Sequence, residues 1–152
     1  MDSLNTLTTV LQHAQGERDQ ALAALRQAEA ADLAARGQAS TLQNYRGEYR
    51  ERWTARFREE GTVELLHCYQ GFSQRLDQAI GMQSQATEQT ARRVQQAREL
   101  LLAREQRVAA VTKLIERRRR DLQLVASRRE QRQSDETAAR VGQAARLASP
   151  MN

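Results

Sequence analysis

The sequence predicts an all-α protein, a long two-helix antiparallel coiled-coil hairpin, on three observations. The first is composition: 39% of the 152 residues are hydrophobic, only 4% are aromatic, and the mean hydropathy is -0.78. Such a chain has too little apolar surface for a thick core. The second is that heptad patterns cover both halves of the chain, and the third is one glycine-containing break between them. The only proline, Pro150, interrupts neither pattern.

The first predicted helix spans about residues 3–59. Two classes of position repeat every seven residues and form a narrow apolar seam, as in a coiled coil. One class contains Leu4, Leu11, Arg18, Leu25, Asp32, Ala39, Arg46 and Trp53; the other contains Leu7, Ala14, Ala21, Ala28, Ala35, Leu42 and Tyr49. The persistence of both classes predicts one uninterrupted helix.

The turn is predicted at about residues 60–63. Gly61 can adopt the left-handed conformation that ends many helices. Thr62 can cap the following helix, with Glu64 in its first turn. Gly71 and Gly81 weaken the turns that follow, so we expect a mobile tip.

The second predicted helix spans about residues 64–146. Its stronger class contains Leu66, Ser73, Ile80, Thr87, Val94, Leu101, Val108, Ile115 and Leu122; its weaker class contains Tyr69, Leu76, Gln83, Thr90, Ala97, Arg104, Val111, Arg118 and Val125. The hairpin is expected to form a single domain, residues 1–148, in the shape of a thin rod, followed by a disordered tail, residues 149–152.

Antiparallel helices pair residues whose position numbers sum to a constant, and a sum of 129 places small residues opposite large ones. That sum pairs Ala28 with Leu101 and Leu4 with Val125. The same register carries the residues after Val125 beyond the start of the first helix.

Catalytic, metal and cofactor sites are not expected. His67 and Cys68 are adjacent and point in different directions on a helix, and His13 is distant. The sequence has no glycine-rich phosphate loop and no nucleophile motif, so we predict a non-enzyme without a cofactor. A single cysteine forms no internal disulfide, which favours a reducing cytoplasm. There is no signal-peptide pattern, and the longest apolar run, residues 100–103, is far shorter than a bilayer span.

The positive charge is concentrated near the carboxyl terminus. Residues 113–132 contain eight cationic and three acidic side chains, which accounts for the whole net charge of +5. Four consecutive arginines, 117–120, have two interpretations. Their side chains are solvated on either side of the seam, or they bind an acidic protein partner. Nucleic acid is a weaker interpretation, because seam residues interrupt the run and aromatic stacking platforms are absent from it.

Phe72, Leu76 and Ala79 form an apolar stripe at helical spacing just after the turn. Two interpretations stay open. The stripe docks on another protein, or Trp53 and Phe57 cover it within the chain.

Two segments give a family resemblance. Residues 42–50 (LQNYRGEYR) and residues 68–80 (CYQGFSQRLDQAI) resemble the two signature regions of the FliJ family of bacterial flagellar export proteins. The residues that make the likeness specific are Tyr45, Glu48, Tyr49, Tyr69, Phe72, Leu76 and Ile80. Length, turn position and a basic carboxyl-terminal helix also agree.

The resemblance implies a stalk without enzymatic activity in the flagellar type III export apparatus, cytoplasmic and peripherally associated with the inner face of the cell membrane. It implies three partners: the hexameric export ATPase, the membrane export-gate protein, and export chaperones. Carried onto this sequence, the gate-binding residues are Phe72, Leu76 and Ala79. The ring-binding residues are Leu7, Leu11, Arg18, Arg117, Arg118, Arg119 and Arg120. The isolated chain is expected to be a monomer. The alternatives are the corresponding stalk of a virulence secretion system and a generic self-associating coiled-coil scaffold.

Overall fold

The computed structural model describes residues Asp2–Ser149, which form two α-helices and no strand. Helix α1 spans Asp2–Glu59 and helix α2 spans Val63–Ala148, with residues 60–62 as the connection. The two helices pack against each other, which confirms the all-α helical hairpin. The last three residues of the predicted tail, 150–152, lie outside the described residues.

Contacts within the chain fall into two compact units, and both helices contribute to each. One unit contains the residues up to Gln15 together with those from Gln106 onward; the other is Gly16–Glu105. The amino-terminal turns of α1 therefore belong to the same unit as the basic part of α2.

The buried residues follow the predicted heptads. Among residues 2–149, eight have a relative exposure of 9% or less, and each one belongs to a predicted seam class. They are Ala14, Ala21, Asp32, Ala35, Leu76, Val94, Val111 and Ile115. No described large side chain is completely buried, because a two-helix seam covers only one stripe of each helix.

The register of the two helices differs from the expected one. The contacts that fix it are Ser3 with Arg118 (3.1 Å), Glu17 with Arg104 (2.9 Å), Asp32 with Thr90 (2.8 Å) and Trp53 with Tyr69 (5.5 Å between ring centroids). The position numbers in these pairs sum to 121 or 122, so the predicted sum of 129 is wrong by one heptad. Ala28 is therefore placed opposite Val94 instead of Leu101, and Val125 is half exposed instead of covering Leu4.

The position of the turn accounts for the observed register. Because α1 ends at Glu59 and α2 begins at Val63, the chain reverses about Gly61, and residues equally distant from Gly61 come opposite each other. A shift of seven residues preserves every heptad class, so periodicity alone cannot distinguish the two registers.

The turn confirms one predicted feature and corrects another. Thr62 caps α2: its Oγ1 accepts a hydrogen bond from Leu65 N (3.3 Å) and its carbonyl accepts one from Leu66 N (3.1 Å). No described residue has a positive φ, so Gly61 does not take the left-handed conformation. Instead, Thr62 N donates to Glu60 O (3.1 Å), and this short-range bond reverses the chain over three residues.

Helix α2 is continuous through Gly71 and Gly81. A methyl group added at either glycine would meet no atom within 4 Å. The open space means that neither glycine is required by packing.

Candidate binding surfaces

All six aromatic residues of the chain lie together beside the turn; we call them the aromatic cluster. Its members are Tyr45, Tyr49, Trp53 and Phe57 on α1 and Tyr69 and Phe72 on α2. The α1 residues recur every fourth position and so share one side of that helix. The aromatic rings of both helices therefore pack on one another at this part of the hairpin.

Tyr49 is the centre of the aromatic cluster. Its ring centroid lies 4.2 Å from that of Phe72, 5.7 Å from that of Trp53 and 5.9 Å from that of Tyr69. Burial raises the pKa of the Tyr49 hydroxyl, and a hydrogen bond with Trp53 partly offsets that effect. Burial in the cluster therefore favours the neutral form of the Tyr49 hydroxyl.

The predicted apolar stripe is partly covered. Leu76 is buried, at 7% exposure, whereas Phe72 and Ala79 are half-buried. The rings that contact Phe72 are Tyr49 and, at 6.2 Å, Tyr45. The rings that cover Phe72 within the chain are therefore those of Tyr45 and Tyr49, and the ring contacts of Trp53 and Phe57 are with other members of the aromatic cluster.

One side of the aromatic cluster is open to solvent; we call this the tyrosine–arginine groove. It has a volume of about 270 Å³ and is lined by Tyr45, Tyr49, Arg52, Trp53 and Arg56. The guanidinium carbon of Arg56 lies 5.9 Å from the centroid of the Trp53 ring, within cation–π range. This groove was not predicted from the sequence, although its residues are spaced to lie on one side of a helix.

The four consecutive arginines of α2 are all exposed. Arg118 Nε donates to Ser3 Oγ (3.1 Å) and so links α2 to the first turn of α1. Arg117, Arg119 and Arg120 form no ion pair with any residue of the described chain. Their charge is therefore available to another molecule.

The other three ring-binding candidates are less accessible. Leu7 and Leu11 are half-buried at seam positions. Arg18 pairs with Asp19 (3.1 Å), which partly neutralises its charge. Leu7 and Leu11 therefore contribute to the seam between the helices, and Arg18 pairs within its own helix.

Every described residue after Leu122, from 123 to 149, is exposed. In the observed register α1 begins opposite residue 120, so this part of α2 has no α1 residue beside it. Its exposed apolar side chains include Leu124, Val125, Val141 and Leu147.

Polar contacts cross the seam of the unit Gly16–Glu105. The buried Asp32 carboxylate accepts a hydrogen bond from Thr90 Oγ1 (2.8 Å) and pairs with Arg36 on its own helix (3.1 Å). Gln83 Nε2 donates to the backbone carbonyl of Ala35 (2.9 Å). Directional bonds of this kind favour one register over others of similar apolar content.

Residues 2–149 contain neither a metal-binding cluster nor a membrane-spanning helix. No three His, Cys, Asp or Glu side chains in that range are placed to hold a metal ion, and Cys68 is an exposed free thiol. Neither of the two helices there has a segment that is long and apolar enough to span a bilayer.

Comparison with known proteins identifies the family. Residues 3–146 match the family model described as "Flagellar FliJ protein". No curated protein and no solved structure matches this chain. The matched range includes α1, the turn and nearly all of α2, with both signature segments within it. The chain belongs to the FliJ family, whose members take part in flagellar protein export.

Proposed function

We propose that this protein is a helical stalk of the flagellar export apparatus that binds the export ATPase ring and stimulates it without catalytic chemistry of its own. The observation that carries the proposal is a set of exposed arginines without ion pairs, Arg117, Arg119 and Arg120, in a chain of the FliJ family. An electronegative ring lumen would complement these charges on several sides of the helix.

In this proposal Arg118 supports the other arginines, because its bond to Ser3 holds α2 against the start of α1. Leu7 and Leu11 fix the seam in the same unit. Arg18, already paired with Asp19, contributes least to ring binding.

The test is stimulation of the purified export ATPase by the full-length chain. Replacing Arg117, Arg119 and Arg120 with Glu should reduce the stimulation at least tenfold, because attraction becomes repulsion. The control carries the same charge change at Arg58, Arg75 and Arg93, which are exposed and lie outside the basic stretch. Equal loss in both triple variants would point to net charge alone, and full stimulation by the first variant would remove these arginines from the mechanism.

The gate-binding role of Phe72, Leu76 and Ala79 is also part of the proposal. Phe72 and Ala79 are half-buried and can present their open edges to the export-gate protein, while the buried Leu76 holds them in place. Phe72→Ala should therefore weaken binding to the purified soluble part of that protein. Phe57→Ala is the matched control, because it removes a ring of the same aromatic cluster away from the stripe. Equal weakening by both changes would indicate loss of packing instead.

Export chaperones are the third proposed partner class, and association with the membrane would occur through the gate protein. A corresponding stalk of a virulence system is the alternative within the same architecture. Expression in a non-motile bacterium that lacks its own FliJ protein separates the two, since restored swimming supports the flagellar role. A generic self-associating scaffold would instead sediment as a dimer or larger at micromolar concentration.

A further inference from the structure

The seam within the unit Gly16–Glu105 contains an uninterrupted run of polar positions. Between Ile80 and Val94, about 21 Å along the helix, every seam position of α2 carries a polar side chain, and each of these side chains is half-buried. We call these residues, with the α1 residues opposite them, the polar seam. Its members are Gln83, Thr87 and Thr90 on α2 and Asp32, Ala35 and Ala39 on α1. None of them is a ring-binding or gate-binding candidate.

The polar seam buries little apolar surface. Its α1 side consists of two alanines and the Asp32 carboxylate, and its α2 side has no aliphatic residue. The nearest buried aliphatic side chains of α2 are Leu76 on one side and Val94 on the other, each at 7% exposure. Because the cost of separating two helices grows with the apolar area that becomes exposed, the helices separate at lower cost at the polar seam than beside it.

Water can replace the hydrogen bonds that cross the polar seam. Thr90 Oγ1 donates to the Asp32 carboxylate (2.8 Å), and Gln83 Nε2 donates to the carbonyl of Ala35 (2.9 Å). Two clefts reach these groups from outside, one of about 430 Å³ beside Asp32 and one of about 290 Å³ beside Gln83 and Thr87. A hydrogen bond exchanged for one to water changes the free energy little. The bonds of the polar seam therefore select the register but resist local opening only weakly.

We propose that the polar seam is a flexible joint of the hairpin, at which the two helices separate locally and bend while the seam on either side stays closed. Regions with few buried apolar contacts open at a lower free energy than the rest of a fold. Tighter packing borders this region on both sides: Leu76 and the aromatic cluster lie toward the turn, and Val94 and Ala21 lie in the other direction. The joint goes beyond the stalk function and does not depend on which partners the protein binds.

Distances between pairs of nitroxide labels test the joint in the full-length chain with Cys68 changed to Ser. One pair lies across the polar seam, at Ala34→Cys and Gln89→Cys. The reference pair lies at the corresponding positions one heptad away, at Gln27→Cys and Gln96→Cys, and all four positions are exposed. Pulsed electron paramagnetic resonance should give a distance distribution at least twice as wide for the first pair as for the reference pair, because only the first pair reports on the joint.

Apolar side chains in the polar seam should close the joint. The change Gln83→Leu with Thr87→Val places such side chains opposite two alanines of α1 and leaves the bond between Thr90 and Asp32, so the register is kept. The distance distribution across the polar seam should then narrow to the width of the reference pair. The urea concentration at the midpoint of unfolding should rise, because apolar packing replaces bonds that water can also make.

The matched control is Gln78→Leu with Thr41→Val. Both positions are exposed and lie just outside the polar seam. Thr41, like Thr87, donates its hydroxyl to the carbonyl four residues earlier, so the two variants lose the same bond within a helix. The control should leave the distance distribution across the polar seam wide, because it adds no apolar contact between the helices.

Three results would overturn the proposal: equal widths for the two label pairs, no narrowing with Gln83→Leu and Thr87→Val, and equal narrowing with the control. Hydrogen exchange of the unlabelled, unchanged chain is an independent measurement. Amides of residues 32–39 and 83–90 should exchange at least tenfold faster than those of residues 18–25 and 97–104, and equal rates would also refute the joint. Far-UV circular dichroism checks that each variant stays helical; where one does not, the exchange rates decide.

Discussion

Thr62 shows how one residue sets the beginning of an 86-residue helix. Its hydroxyl oxygen accepts the Leu65 N–H, one of the four donors that have no partner within the helix. Seven other threonines of the described chain, including Thr54, instead direct their hydroxyls to the carbonyl four residues earlier, a bond that adds little to a helix.

Thr62→Ala should therefore destabilise the protein by about 1 kcal/mol. The measurement is the free energy of unfolding in urea followed by circular dichroism. Thr54→Ala is the matched control; it removes only an exposed hydroxyl within α1, and alanine is the better helix former there. If both changes cost the same, the hydroxyl of Thr62 does not act as a cap.

The ionisation of Tyr49 makes the stability of the fold depend on pH. Because burial raises its pKa, the folded state holds the tyrosine proton more tightly than the unfolded state does. The resulting stability is present below the ordinary tyrosine pKa of 10.0 and is lost as the pH rises through the higher folded value.

Unfolding in urea at pH 8 and at pH 11 should therefore show lower stability at the higher pH. The decrease should be smaller in Tyr49→Phe, which keeps the ring and has no proton to lose. An equal decrease in both proteins would assign the pH effect to other groups, such as the remaining tyrosines.

At the scale of helices, the register is the feature that the sequence analysis placed wrongly. Two pairings one heptad apart use the same seam classes, and apolar content alone does not choose between them. The three-residue turn and the Asp32–Thr90 bond both belong to the register with sums of 121 or 122. In the other register the Asp32 carboxylate would face Ala97 and lose its bond to Thr90, at a cost of roughly 1–3 kcal/mol.

Cysteine crosslinking distinguishes the two registers. With Cys68 changed to Ser, the pair Ala28→Cys and Val94→Cys should form a disulfide rapidly within one chain. The pair Ala28→Cys and Leu101→Cys should not, because seven residues along α2 correspond to about 10 Å and a disulfide spans at most about 7 Å between Cα atoms. The single-cysteine variants show how much bonding occurs between chains, and faster closure of the Ala28–Leu101 pair would refute the observed register.

The helices were predictable because their signal is local and repeated, as the cap at Thr62 and the seam positions show. The register was wrong because it was chosen by pairing small residues with large ones, whereas the turn predicted at about residues 60–63 corresponds to a sum near 123, close to the observed value. Only the α1 part of the aromatic cluster could be predicted from the sequence, because its rings recur every fourth residue. Their contacts with Tyr69 and Phe72 join residues that are distant in sequence. The tyrosine–arginine groove was missed because the absence of partners for Arg52 and Arg56 depends on side-chain positions.

The excess positive charge and the aromatic packing lie in different parts of the chain. Residues 1–112 contain 14 cationic and 14 acidic side chains, so the whole excess of +5 belongs to residues 113–152. The aromatic packing lies beside the turn, whereas all residues from 123 to 149 are exposed. The aromatic packing and the excess positive charge therefore belong to different parts of the chain.

Deleting residues 123–152 should accordingly leave stability almost unchanged. The deletion removes 26 of the 86 residues of α2, so the helical signal in circular dichroism should fall. The unfolding free energy should change by less than about 1 kcal/mol, because no buried side chain is lost. Ile115→Ala is the contrasting variant; it removes a side chain at 6% exposure and should cost about 2–4 kcal/mol. A deletion as damaging as Ile115→Ala would mean that the end of α2 packs on the hairpin, and its charges would not then be free for a partner.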